Sequence, residues 1–487
     1  MTTRGAAQGS LRGAFIDAPM HLWYSREVLS KANAKREKSQ ARGRLSRLAR
    51  WLEPGLGVKR WLAFMILGTA LVGLGLAIFL LDLYRTYPDS PWMALLSMRA
   101  LPRWLRAVVL AGLGGAVLVW ASLRLNQALL APYRRPGRSL VEAVSRHRRL
   151  GKGPHIVTIG GGTGLSTLLR GLKEYSSNLT AIVSMADDGG SSGRLRRSLG
   201  LPPPGDIRAC LAALSADEDL LTQLFQYRFR EGEELGGHSF GNLFIAALAG
   251  VTGSFETGVL EAARVLGVQG QVLPSTASSV ALLADKTLSA AGQAVRIEGE
   301  SRIPAMPGKI RRIQLEPNDP PAYPPAIQAI LAADMIVIGP GSLYTSLIPN
   351  LLVPDIARAI QASRAFKVYV CNVATQPGET DQLDCCQHLE AIQAHVGNSL
   401  VDLAVANDHL DLDLPEGCEP VQPALERAHL VPIYAADLVD LQRPTRHDAR
   451  KLAETLIALL EERTGPLEAF SDGNGKNQAE LANPDSQ

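Results

Sequence analysis

The run Ile156-Val157-Thr158-Ile159 is followed by Gly160-Gly161-Gly162-Thr163-Gly164, and then by Leu165-Ser166-Thr167-Leu168-Leu169. A short apolar run reads as a buried strand, and the apolar spacing after it reads as an amphipathic helix. Strand, glycine loop and helix together aim backbone N–H groups and a helix N-terminus at a phosphate. Glycine lets the backbone approach an anion and take φ > 0. The loop is not a full dinucleotide fingerprint, because Leu165 stands where the third glycine counted from Gly160 would be. It is not a Walker loop either, since no Gly-Lys-Ser/Thr follows.

From His155 onward, apolar strands alternate with helical stretches. The predicted strands are His155–Ile159, Thr180–Ser184, Met335–Gly339, Lys367–Asn372, Val401–Ala404 and Leu430–Tyr434. Between them the spacing predicts helices such as Leu165–Tyr175, Ile207–Leu214, Phe240–Leu248 and Pro325–Ala332, with a last helix over Arg446–Glu462. This alternation argues an α/β fold, a mostly parallel sheet with helices on both faces. The stretch Val268–Leu315 alternates polar and apolar residues and reads as an antiparallel insertion. Thr464 onward is polar and rich in Gly, Asn and Asp, the composition of a disordered tail.

The first 150 residues differ in kind. Residues 1–60 hold thirteen Lys or Arg against four acids, although the whole chain of 487 residues carries a net charge of only +3. Trp61 to Leu81 contains no charge and one hydroxyl, and is long enough to cross a bilayer core. A second, shorter apolar run spans Ala107 to Leu123, with Trp61, Trp104 and Trp120 near the ends as interface anchors. The reading is a two-helix transmembrane hairpin. Residues 124–152 carry eight Arg or Lys against Glu142 alone, while the loop between the spans holds Arg85, Arg99, Arg103 and Arg106. The positive-inside rule then puts the N-terminus and the large C-terminal part in the cytoplasm. A nucleic-acid role is not expected, because the basic flanks lack interleaved aromatics. The expected organisation is a basic segment over 1–58, two spans over 59–124, a basic linker over 125–153, the α/β domain over 154–463 and the tail over 464–487.

Ligands of open α/β sheets bind beyond the carboxyl ends of the strands. After the second strand comes Asp187-Asp188-Gly189-Gly190-Ser191-Ser192-Gly193-Arg194-Leu195-Arg196. An acid about twenty residues after the glycine loop can grip a ribose hydroxyl. The adjacent pair Asp187 and Asp188 can instead hold Mg²⁺ beside a pyrophosphate. Ser191 and Ser192 belong to a second candidate anion nest, and Arg194 and Arg196 can pair with phosphate. In Pro203-Pro204-Gly205-Asp206-Ile207-Arg208, Asp206 suits a helix N-cap and Arg208 falls on the first turn. His238 and Asn242 lie four apart around Ser239, a natural N-cap, and share a helix face. Asp187, Asp188 and His238 are the acid–base candidates. Gly341, Ser342 and Thr345 belong to a third glycine loop, Gly339–Ser346, and Asn372, Thr375 and Gln376 to the loop Asn372–Asp381. No Ser-His-Asp order, metal triad or elbow nucleophile stands out. The site reads as built to hold a phosphorylated, hydroxyl-rich ligand. The five cysteines show no CxxC and no zinc spacing, and read as reduced thiols.

Gly160–Thr167, Asp187–Arg196, Pro203–Arg208, Gly237–Asn242, Gly339–Ser346 and Asn372–Asp381 together resemble the gluconeogenesis factor family (YvcK-like), within the 2-phospho-L-lactate transferase (CofD-like) superfamily. The resemblance covers roughly His155–Glu462. It implies a Rossmann-like fold and a ligand of the UDP-N-acetylglucosamine kind. It also implies a role in cell-wall precursor control and cell shape during gluconeogenic growth, with cell-wall synthesis or regulatory proteins as partners, and a homo-oligomer. Members of this branch are ligand-binding factors rather than established enzymes. The transferase branch moves a phospholactyl-type group with Mg²⁺, so an Mg²⁺-dependent transferase is the alternative. Ser191-Ser192-Gly193-Arg194 and Pro204–Arg208 resemble the gluconeogenesis branch. The two N-terminal spans lie outside the shared domain and suggest a membrane-tethered variant.

Overall fold

The computed structural model describes residues 58–86, 102–130, 149–215, 220–232, 235–288, 294–397, 400–428 and 431–465. The expected basic segment, most of the linker and nearly all of the tail lie outside the described residues. The chain divides into two units, 1–145 and 146–487.

The first unit contains helices α1 (Val58–Thr86) and α2 (Arg103–Leu130), where the two apolar runs are expected. Leu71, Phe79, Trp104 and Trp120 on them are exposed. Among the described residues no single helix is long and apolar enough to cross a membrane; the apolar stretches are Gly68–Phe79 and Ala111–Trp120.

The second unit is built on seven strands: β1 (Ile156–Gly160), β2 (Leu179–Val183), β3 (Gln271–Pro274), β7 (Met335–Ile338), β8 (Phe366–Val370), β9 (Leu403–Asn407) and β10 (Ile433–Ala436). They run in the order β10-β9-β8-β7-β1-β2-β3, and every pairing is parallel. Every residue of β1 and β7 is buried, so the middle of the sheet is covered on both faces. The helices of eight or more described residues are α3 (Gly162–Leu172), α4 (Gly190–Leu199), α5 (Gly205–Leu214), α6 (Phe240–Thr252), α7 (Phe255–Val265), α8 (Pro324–Leu331), α9 (Pro354–Ala362), α10 (Cys385–Val396) and α11 (Ala449–Thr464). α3 packs on α5 and α11, and α8 packs on α9.

The expected strands are present with shifted ends: the predicted Val401–Ala404 runs instead over Leu403–Asn407, because the apolar Leu403–Ala406 must line up with β8. β3, within the expected insertion, joins the main sheet. The insertion proper is a three-stranded antiparallel sheet of β4 (Ala281–Thr287), β5 (Ala294–Glu298) and β6 (Lys309–Glu316), ordered β5-β4-β6. β4 alternates buried and half-buried positions, as a strand with one covered face does. Lys286 falls on the covered face with Leu282 and Ala284 and is fully buried. Its ammonium donates to the carbonyls of Ile303 (2.7 Å), Met306 and Gly378 (2.7 Å), which satisfies all three of its protons. This pins the insertion to the loop after β8.

Candidate functional site

The strand order reverses between β1 and β7, since β1 is followed on one side by β2 and β3 and the chain then returns to lay β7 on the other. Ligand crevices of open α/β sheets form at such a point. Gly160–Gly164 leads out of β1 into α3 and Gly339–Ser346 leads out of β7, so two glycine loops face each other there. Gly162 has φ +65°, a backbone state that suits glycine. A Cβ on Gly164 would come within 2.6 Å of the Pro340 carbonyl oxygen, so the loops meet backbone to backbone. The β8 loop braces this wall. Asn372 accepts from the Gly341 N–H at 3.2 Å and donates to the Gly341 carbonyl at 2.9 Å, and Gln376 donates to Ser342 at 2.8 Å. Thr375 accepts from the Glu419 N–H at 2.9 Å. All of these side chains line the crevice as well.

One end of the crevice is a chamber of about 400 Å³. α3, α4 and α5 all begin at its wall, with Gly162, Gly190 and Gly205 as their first residues. Their dipoles and first-turn N–H groups favour an anion. The Gly/Ser run after β2, read from sequence as a loop nest, is the first turn of α4. Arg170, Arg208 and Arg228 add guanidinium groups to the same chamber. Arg208 donates to Asn242 Oδ1 at 3.0 Å, Asn242 donates to Ser191 Oγ at 3.1 Å, and Ser191 Oγ lies 3.0 Å from His238 Nδ1. Burial, then the Arg228 charge, lower the Arg208 pKa.

His238 is 8% exposed and lines neither chamber; it supports Ser191 from behind. Burial, Arg194 and Arg228 lower its pKa. Arg194 lies against Gly237. Arg196 is spent on structure, donating to Ser279 at 3.0 Å and to the Val280 carbonyl at 2.6 Å.

The other end is a larger chamber of about 660 Å³, and the two share Gly162, Thr163, Asp187 and Asp206. The expectation that Asp206 caps α5 is corrected. Pro204 is the cap position, Asp206 sits in the first turn, and its carboxylate reaches across to the Gly162 backbone N–H. Burial, then the neighbouring Asp187, raises its pKa to about 6. Asp187 accepts from the Gly189 N–H at 2.9 Å, and burial raises its pKa too. Asp188 points elsewhere, accepting from the Ser301 N–H of the insertion at 2.8 Å. The adjacent pair expected to hold Mg²⁺ is therefore split, and the carboxylates that face each other over the crevice floor are Asp187 and Asp206. Two crowded carboxylates of this kind fit Mg²⁺, which binds one or two carboxylates plus phosphate oxygens. Among the described residues no group of three or more His, Cys, Asp or Glu side chains is placed to hold a metal ion.

The sequence reading missed several lining residues. Glu300 comes from the short turn Glu300–Arg302 of the insertion, and burial followed by Asp187, Asp206, Asp188 and Glu379 pushes its pKa up to about 8. Glu379 stands in the β8 loop, where a search restricted to hydroxyls and amides passes over it. Thr345 Oγ1 donates to its Oε1 at 3.1 Å, and burial raises its pKa. Arg446 and His447 were assigned to the last helix. That helix starts three residues later than expected, at Ala449 behind the N-cap Asp448, and leaves both in the crevice wall. Burial lowers the His447 pKa to about 4. The five cysteines are free thiols, as expected.

Residues 156–439 match the family described as 2-phospho-L-lactate transferase CofD. A Bacillus subtilis protein named Gluconeogenesis factor is 45% identical over 325 residues, 64% of this chain and all of its own length. A Deinococcus radiodurans relative is 38% identical over 461 residues, 90% of this chain and 95% of its own. The crystal structure of a Bacillus halodurans member of the UPF0052 family is 45% identical, covers 63% of this chain and 99% of its own, and superposes with a TM-score of 0.58.

Proposed function

The chain belongs to the CofD family, on the branch of its gluconeogenesis factor relatives, and from that premise we propose that it is a binding factor for a nucleotide sugar of the UDP-N-acetylglucosamine kind. In this reading the bound state regulates cell-wall precursor flux and cell shape during gluconeogenic growth, through contact with cell-wall synthesis or regulatory proteins. One observation carries the ligand class. The starts of α3, α4 and α5 converge with three arginines on a chamber of about 400 Å³, next to a larger polar one. The first suits a pyrophosphate, and the second leaves room for what the pyrophosphate carries. Calorimetry of the full chain with UDP-N-acetylglucosamine is the test. Saturable heat is expected, and its absence from folded protein overturns the reading.

A second reading is an Mg²⁺-dependent transferase acting on a phosphorylated small molecule, favoured by the facing carboxylates Asp187 and Asp206 at the junction of the chambers. They would hold the ion, which when bound supplies charge neutralisation to the phosphate oxygens. Arg208 and the first turns of α3 and α4 would orient the phosphate. Replacement of both aspartates by Asn should abolish Mg²⁺-dependent turnover; a full survey of phosphorylated donors without turnover removes this reading.

We also propose a membrane tether, for which the exposed apolar side chains of α1 and α2 speak, with the α/β domain on the cytoplasmic side, for which the basic flanks in the sequence speak. Fractionation should place the full chain with membranes and a form beginning near Lys152 in the supernatant. A homo-oligomer is also proposed; a monomer mass in light scattering would exclude it.

A further inference from the structure

Buried polar side-chain atoms find hydrogen-bond partners in all but a few cases, so each exception asks for a cause. Among the described residues four such atoms have none: Asn350 Oδ1, Glu379 Oε2, His388 Nε2 and His447 Nε2. Asn350 and His388 belong to the packed interior. Glu379 and His447 both line the larger chamber, and they reach it from different elements, the β8 loop and the approach to α11.

Their hydrogen-bonding sense is set by their other contacts. Glu379 Oε1 takes the Thr345 hydroxyl at 3.1 Å, the backbone N–H groups of Tyr344 and Thr345 support the carboxylate, and the Lys286 charge is near. Oε2 is left as an acceptor. One nitrogen of His447 bonds to the backbone of Cys371, a contact that favours the protonated ring and so places N–H against the carbonyl. In the neutral imidazole the other nitrogen then carries the lone pair. The larger chamber therefore holds two buried acceptors, each 8% exposed or less as a residue, waiting for donors. Phosphate oxygens offer none.

We infer that the larger chamber is a subsite for a neutral, donor-bearing group, one that brings hydroxyl or amide N–H to Glu379 Oε2 and His447 Nε2. Its occupant is the uncharged part of the ligand, and these two residues determine specificity for it. The inference rests on the nucleotide-sugar reading for the identity of the whole ligand. It divides the labour of the crevice: the smaller chamber recognises acceptors, the larger recognises donors.

The test uses the full chain and two probes at constant Mg²⁺: inorganic pyrophosphate, which can fill only the smaller chamber, and UDP-N-acetylglucosamine, which needs both. Glu379→Gln keeps the acceptor for Thr345 and replaces Oε2 with an amide N–H. It should weaken UDP-N-acetylglucosamine about tenfold or more and leave pyrophosphate binding within about twofold. His447→Asn should act in the same direction, about threefold to tenfold. Retained pyrophosphate binding certifies that the variants are folded. Equal losses for both probes, or no loss for either, overturn the subsite while leaving the nucleotide-sugar reading intact; the second result would mean that water alone satisfies the two acceptors. Wild-type protein that binds pyrophosphate and not UDP-N-acetylglucosamine overturns the nucleotide-sugar reading itself and the subsite with it.

Discussion

The two chambers share a floor, Asp187 and Asp206, and yet differ in almost every property above it. The smaller is walled by three helix starts and three arginines, all of them donors. The larger adds Glu300 and Glu379 to the floor against a single cation, Arg446. The smaller is made by segments close in sequence, Gly162 to Asn242, within one run of strands and helices. The larger is assembled from the β1 and β7 loops, the insertion, the β8 loop and the approach to α11. Local sequence builds an anion site readily, because a glycine loop and a helix start suffice. A site for a neutral group needs side chains brought from far apart, which is how Glu300, Glu379 and His447 come together in the larger chamber.

The comparison can be broken most forcefully at Lys286. Lys286→Met would strand three carbonyls and free the insertion from Gly378, beside Glu379. A loss of about 2–4 kcal/mol in unfolding free energy is expected, with the larger chamber losing its ligand contacts before the smaller; denaturant melts read the first effect, and weaker UDP-N-acetylglucosamine binding beside retained pyrophosphate binding reads the second. Arg208→Met attacks the other side. It removes a charge-assisted donor and strands Asn242 Oδ1, and should weaken pyrophosphate about tenfold to hundredfold. Unchanged affinity would mean that the anion sits elsewhere. Gly164→Ala forces the two glycine loops apart at Pro340 and should cost about 1–3 kcal/mol, seen as a lower Tm. The pH dependence is a gentler probe of the shared floor. Asp206 and Glu300 hold their protons up to about 6 and about 8, against 3.8 and 4.5 in the unfolded chain. The folded domain then binds more protons than the unfolded one between about pH 4 and 8, so stability falls as pH rises through that window. Mg²⁺ or Glu300→Gln should flatten the fall. A Tm that is level across the window without Mg²⁺ would show that these carboxyls are not crowded.

What was legible in the sequence follows the same division. β1, β2, β7 and β8 announced themselves because central parallel strands are largely apolar runs, and the glycine and Asp187 loops because glycine runs beside Asp and Ser mark turns and anion sites. β3 hid in a four-residue stretch, Gln271–Pro274, too short to show a period. His238 looked exposed to chemistry in a Gly-Gly-His-Ser context, and only packing reveals that its ring serves Ser191. Asp188 and Asp187 are equivalent as letters; the Ser301 N–H, more than a hundred residues away, separates their roles. Glu300, Glu379 and His447 carry no local motif, since their meaning lies in what they are placed beside.

The parallel pairing of Ile156 with Met335 has a consequence for biosynthesis. β1 and its glycine loop leave the ribosome 179 residues ahead of the strand that completes their side of the crevice. At about 5–20 residues per second, that interval is on the order of ten to forty seconds. Throughout it the edge of β1 that pairs with β7 has no partner strand, while α3, β2 and α5 emerge early in the interval on the other side. The nascent chain thus passes through a half-sheet with one open edge, a stage at which a chaperone, or the ligand itself, has its longest opportunity to act.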